Sequence, residues 1–202
     1  MFNLIGLSPL AFISAAGPPE KDLIQILLKR WKSAKEYTLV IYDAMPDEKI
    51  EFSPSTAQMT FSQHFMNACF FNNAYLGVMQ DKSEYPDFDS LVKANFIIAR
   101  PDDINLFQHA SLKQRSTTEN KKLVSDYIAK TFDFAIATLA QINDGDLPKG
   151  LDKKKPAFLD GHTNFDLILR GESHNAHHLG QAIAYLRMNG VTPPNYAKFN
   201  VF

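Results

Sequence analysis

Between Glu20 and Asp43 the apolar side chains Leu23, Leu27, Trp31, Ala34 and Ile41 recur at intervals of three, four and seven. That spacing gathers them on one face of a long amphipathic helix. Met45 and Pro46 close it, and "PDEKIEFSPSTAQ" follows as a polar loop in which Ser53-Pro54 turns the backbone away from helix. A second helix is predicted from about Thr60 to about Met79, with Phe61, Phe65, Ala68, Cys69, Phe71 and Leu76 as apolar positions. "DKSEYPDFDS" reads as a loop. From Leu91 to Leu112, interrupted by Pro101, short helical turns are expected. A third long helix follows, capped by Thr117 or Thr118 and facing the core with Leu123, Tyr127, Phe134, Ile136 and Leu139. "NDGDLPKG" stops it. The last helix runs from about Asn164 to Asn189, ended by Gly190 and Pro193-Pro194. No strand pattern or internal repeat is present. Four long helices with short or medium connections predict an all-α fold, a four-helix bundle, over residues 20–202.

Composition narrows the function classes. The chain has 202 residues, 45% apolar and 12% aromatic, enough for a packed core. Its 21 basic and 22 acidic residues leave a formal charge of −1, which speaks against a nucleic-acid surface. No segment reaches the roughly 18–20 apolar residues of a membrane span. The single cysteine, Cys69, excludes an internal disulfide and reads as a small buried hydrophobe among phenylalanines. Residues 1–19 form an apolar arm. Its uncharged "MFNLIGLSPLAFISAAG" resembles a secretory signal without the usual basic leader. Packing of the arm on the bundle implies a cytoplasmic protein; cleavage after residue 16 implies export. Lys153, Lys154 and Lys155 read as a solvated run, and His109 and His162 as exposed loop residues.

The chemistry concentrates in "GESHNAHHLGQAIAYLRMNGVTPPNY", residues 171–196. His174 and His178 are four apart, so on a helix they project side by side and can reach one divalent ion. His177 is rotated roughly 100° away and reads as a neighbour rather than a ligand. The pattern lacks the glutamate of HExxH, which removes the metalloprotease reading. A third ligand has to come from another helix. The second helix offers His64 and, three residues on, Asn67 in "SQHFMNAC". Gln181 can orient a ligand or bond across helices. Arg187 suits a helix C-terminus.

"HNAHHLGQAIAYLRMNGVTPPNY" resembles the C-terminal signature of the DinB/YfiT-like superfamily, an HxxxHxGQ stretch leading to YLR, glycine and a Pro-Pro turn. "LLKRWKSAKEYTLVIYDAMPDEKIEFSPS" resembles the first helix and following loop of that family. The resemblance spans about residues 20–197. It implies a four-helix bundle, often a homodimer, and a divalent metal, nickel or zinc, held by three histidines, two of them here His174 and His178. The family's third histidine aligns with Asn67, and His64 falls one turn earlier. Asn is a poor ligand for nickel or zinc. Three arrangements follow: His64 completes the site, the site is empty, or Asn67 takes part in a mixed one. His177 and Gln181 are the candidate supporting residues. The resemblance implies a metal-dependent thiol S-transferase or hydrolase acting on a small molecule, with a low-molecular-weight thiol as partner. The alternative is a non-catalytic dimeric bundle that binds a ligand or partner beside a degenerate metal site.

Overall fold

The computed structural model describes residues 22–151 and 156–199; the N-terminal arm and the lysine run lie outside them. Among the described residues there are four long α-helices and one short one, with 3-10 turns between and after them: α1 (Leu23–Asp43), α2 (Phe61–Gln80), α3 (Phe88–Leu91), α4 (Thr117–Leu139) and α5 (Asn164–Met188). Among the described residues the only β pairing is an isolated bridge between Gly150 and Thr163.

Each long helix starts on a side-chain cap that satisfies an orphan amide. Asp22 caps α1. Thr60 with Gln63, and Thr163 with Asp166, form reciprocal capping boxes on α2 and α5. The cap of α4 is Ser116, with Thr117 already helical, one residue before the position the sequence pattern favours. Asp144, from the α4–α5 connection, also receives the Leu23 and Ile24 amides of α1 at 2.8 and 2.9 Å. A carboxylate at a helix N-terminus is favoured by the helix dipole. α5 ends where Gly190 takes φ of 73°, a left-handed value that glycine adopts freely. Val191 N–H then reaches back to the Leu186 carbonyl at 2.9 Å.

α2 is buried on every side from Phe61 to Val78, which marks it as the central rod. α4 and α5 pack along it, and α1 lies mainly against α4, touching α5 much less. The core stripe of α4 is Val124, Tyr127, Ile128, Thr131, Phe132, Ala135 and Leu139. Leu123, Phe134 and Ile136 are only partly buried, so the predicted face is rotated by about one residue. Tyr127 and Leu139 belong to both stripes, which is how neighbouring registers become confused.

The expected short turns are found at the start of the segment around Leu91: α3 begins inside the stretch that reads as a loop, and Ala94 N–H to the Leu91 carbonyl (3.0 Å) and Ile97 N–H to the Ala94 carbonyl (2.9 Å) close the turns after it, whereas residues 98–116 hold no helix. From Phe96 onward, backbone groups of this segment bond to polar side chains of α2. Asn73 takes the Phe96 carbonyl (3.1 Å) and the Ile98 amide (2.8 Å). Gln63 donates to the Asn105 and Gln108 carbonyls at 2.7 and 2.9 Å and accepts the Ala110 amide at 3.1 Å. Asn67 donates to the Leu106 carbonyl at 2.7 Å. A side chain that supplies these partners removes the need for local helix. The far end is fixed by Asp102, which Arg115 grips with two bonds of 2.5 and 2.8 Å while the Lys113 amide adds a third at 3.0 Å.

Candidate metal centre

α2 and α5 carry the three inward histidines to one place. His64 and His178 are 2% and 5% exposed, and His174 is half-buried at the edge. His64 Nδ1 lies 3.0 Å from His178 Nδ1, and His178 Nε2 lies 3.0 Å from His174 Nε2. The ring centroids are 5.3 and 4.6 Å apart. Helical spacing explains the α5 pair, since residues four apart stack on one face. α2 supplies His64 because the Thr60 cap fixes the register of its first turn.

The arrangement is a relay with His178 in the middle. A neutral imidazole has one N–H and one lone pair. His178 therefore donates to one neighbour and accepts from the other, and both of its nitrogens are engaged. The outer nitrogens, His64 Nε2 and His174 Nδ1, are buried with no hydrogen-bond partner. Among the described residues, no group of three or more His, Cys, Asp or Glu side chains is disposed to hold an ion as the rings stand.

Aromatic side chains wall the cluster. The Tyr185 ring stands edge-on to His64 at 5.1 Å while its hydroxyl donates to the Met59 carbonyl at 3.2 Å. Phe71 stands edge-on to His174 at 5.0 Å, and Tyr75 lies beyond it. The Arg170 guanidinium sits over the Tyr75 ring, 5.3 Å from its centroid. In this apolar setting the charged imidazolium is disfavoured. Burial first, and His177 second, lower His64 from 6.5 to about 4. Burial, then His177 and Arg170, lower His174 to about 4. Burial, then its two partner rings and His177, lower His178 to about 2. All three are neutral at physiological pH; two of their three lone pairs accept ring N–H groups within the relay, and one outer nitrogen keeps a free lone pair.

Other candidate residues sit elsewhere. Asn67 is buried and committed to the Leu106 carbonyl; its Oδ1 has no partner. His177 is exposed, and Gln181 donates to it at 2.8 Å, so these two bond each other rather than an inward ring. His109 and His162 are half-buried, not exposed. His109 Nδ1 contacts the Gln58 carbonyl at 2.9 Å, and His162 Nε2 accepts from Arg170 at 3.1 Å. The aromatic wall was not read from the sequence. Spacing marks Phe71 only as an apolar position of α2, and no local pattern separates an aromatic that touches imidazole from one that touches leucine.

Fold and site together define an all-helical protein with an internal imidazole cluster between its central and last helices. The chain belongs to the DinB family, whose sequence model matches residues 20–200. Among solved structures it is similar to the crystal structure of a DinB-like protein from Bacillus cereus, at 17% identity and a TM-score of 0.60. That match covers 85% of this chain and 96% of the other, and it shows a shared fold. No protein with a curated description matches. Among the described residues, no helix is long and apolar enough to cross a membrane.

Proposed function

We propose that His64, His174 and His178 hold a divalent ion, nickel or zinc, and that the chain is a metal-dependent thiol S-transferase or hydrolase acting on a small molecule. One observation carries the reading: three neutral imidazoles from two helices are in contact, so an ion among them would take the lone pairs that the rings now share with one another. The donor set fits, because imidazole suits nickel and zinc. A divalent ion bound there supplies Lewis acidity to a small molecule beside it.

The chain's own residues prepare the site. Burial keeps the lone pairs unprotonated. Tyr185 and Phe71 exclude water from two sides and fix the rings of His64 and His174. The pairing of this chain as a homodimer, and a low-molecular-weight thiol as second substrate, belong to the same proposal and rest on the family resemblance.

Metal analysis of untagged protein tests the reading. The expected result is one nickel or zinc per chain, lost in His178→Ala and in His64→Ala. Added metal at about 100 times its dissociation constant stabilises the native state by about 2.7 kcal/mol. The rival reading, a non-catalytic bundle that binds a ligand or partner, is favoured by the engagement of both His178 nitrogens and by the commitment of Asn67 to the loop. Metal-free protein whose melting temperature ignores added nickel and zinc would establish that rival.

A further inference from the structure

α5 has a second functional face. With 3.6 residues per turn, Asn175, Leu179, Ile183 and Arg187 fall on the side roughly opposite the histidines. There α1 and α5 part, and the C-terminal segment through Pro193, Pro194 and Tyr196 closes over the gap. The result is a cavity of about 570 Å³, inside the usual size range of small-molecule sites. Its walls are mainly apolar, formed by Ala34, Leu179, Ile183 and the two prolines.

Two polar groups mark its ends. Asn175 is 5% exposed; its amide donates to the Thr38 hydroxyl at 3.3 Å, and its Oδ1 is buried without a partner. Arg187 lines the other end, and its guanidinium makes no ion pair or hydrogen bond to another described residue. Its charge is felt by Tyr37, where it partly offsets the upward effect of burial. Glu172, near the Asn175 end, is neutralised by Arg30. The two marked positions are twelve residues apart, about 18 Å along the helix. An arginine side chain leans back toward the helix N-terminus, which shortens that span.

We infer that this cavity binds a slender amphipathic carboxylate: an acid head on Arg187, an apolar body along Leu179 and Ile183, and a hydrogen-bond donor at the far end for Asn175 Oδ1. Apolar burial drives entry, and the two polar ends set the direction. A ligand lacking the donor leaves the Asn175 oxygen unpaired, and one lacking the acid forfeits the charge-assisted bond. The site is separate from the imidazole cluster and does not require it.

Calorimetric titration of the full chain with ω-hydroxydodecanoate, dodecanoate and dodecanediol tests this. The expected order is ω-hydroxydodecanoate tightest, with each of the other two weaker by about tenfold, one polar end's worth of binding energy. Arg187→Gln is expected to bring the hydroxy acid down to the affinity of the diol. His64→Ala is expected to bind it as tightly as the unaltered chain, whatever becomes of metal binding. Arg187 is on the surface, so circular dichroism of the variant checks that its fold is retained. Absence of saturable binding, or an affinity that ignores Arg187→Gln, overturns the proposal. Binding that appears only after removal of residues 1–19, or only on dilution of a dimer, also overturns it, by making the chain's own arm or a second copy the occupant.

Discussion

Acidification from pH 6.5 to pH 5 in the presence of a chelator should weaken this fold through the imidazole cluster. In the unfolded chain each histidine takes up a proton near its ordinary value of about 6.5. In the folded chain His64 and His174 resist protonation until about 4, and His178 until about 2. Over this interval the unfolded state therefore binds more protons than the folded one. Stability is complete above pH 6.5, falls as pH drops below it, and stops falling only near the folded-state values. Integrated from 6.5 to 5, one such ring costs about 1.6 kcal/mol, and three give a ceiling of about 5 kcal/mol. His174 is half-exposed and the rings interact, so the working figure is about 2–3 kcal/mol. For a domain of this size that is a fall of about 5–10 °C in melting temperature. Thermal and urea melts at pH 7, 6 and 5 measure it. The reference is a variant with leucine at positions 64, 174 and 178, which retains the remaining histidines and all the carboxylates. Parallel pH curves for the two proteins would refute the reasoning, because the cluster would then contribute nothing to the slope.

Two further outcomes follow from the packing. Asp102→Ala leaves the Arg115 guanidinium without its carboxylate and should cost about 2–4 kcal/mol in urea unfolding. The Arg115 hydrogen bond foremost holds the Asp102 carboxyl below the usual range, so its contribution is present above about pH 4 and fades as pH falls further; the gap between unaltered protein and Asp102→Asn should close in that acid range. Alanine at Gly77 would place a methyl 2.1 Å from the Phe96 ring and should cost about 1–3 kcal/mol, whereas at Gly180, where nothing lies within 4 Å, it should stabilise α5 by about 0.5–1 kcal/mol; thermal melts of the two variants distinguish the cases.

The sequence carried the helices and half of the site because both depend on local periodicity. The HxxxH spacing placed His174 and His178 on one face, and Gly190 marked the end of α5, without reference to the rest of the chain. His64 was reachable only as a candidate, since its approach to His178 depends on how α2 lies against α5. The course of residues 98–116 is not legible locally, because its backbone partners, Gln63, Asn67 and Asn73, come from a distant part of the chain. Asn67, a candidate ligand by its spacing from His64, is instead an internal anchor for the Leu106 carbonyl. The buried face of α4 lies one register from the one the periodicity predicts, because Thr131 and Ala135 do not stand out as core in an amphipathic count. The cavity behind α5 depends on the divergence of two helices, which no window of sequence records.

The stitching of residues 96–110 onto α2 has a consequence for protein engineering. The aromatic at 107 is held against Phe71, which itself touches His174. Its position is set by side-chain amides rooted at 63 and 67, and the start of the stretch by the one at 73, so this stretch and those three rungs of the central rod form one exchangeable cassette. Transplanting the stretch alone onto another bundle of this shape would strand carbonyls in a dry interior. Moving the rungs with it transfers the rim of the imidazole pocket intact.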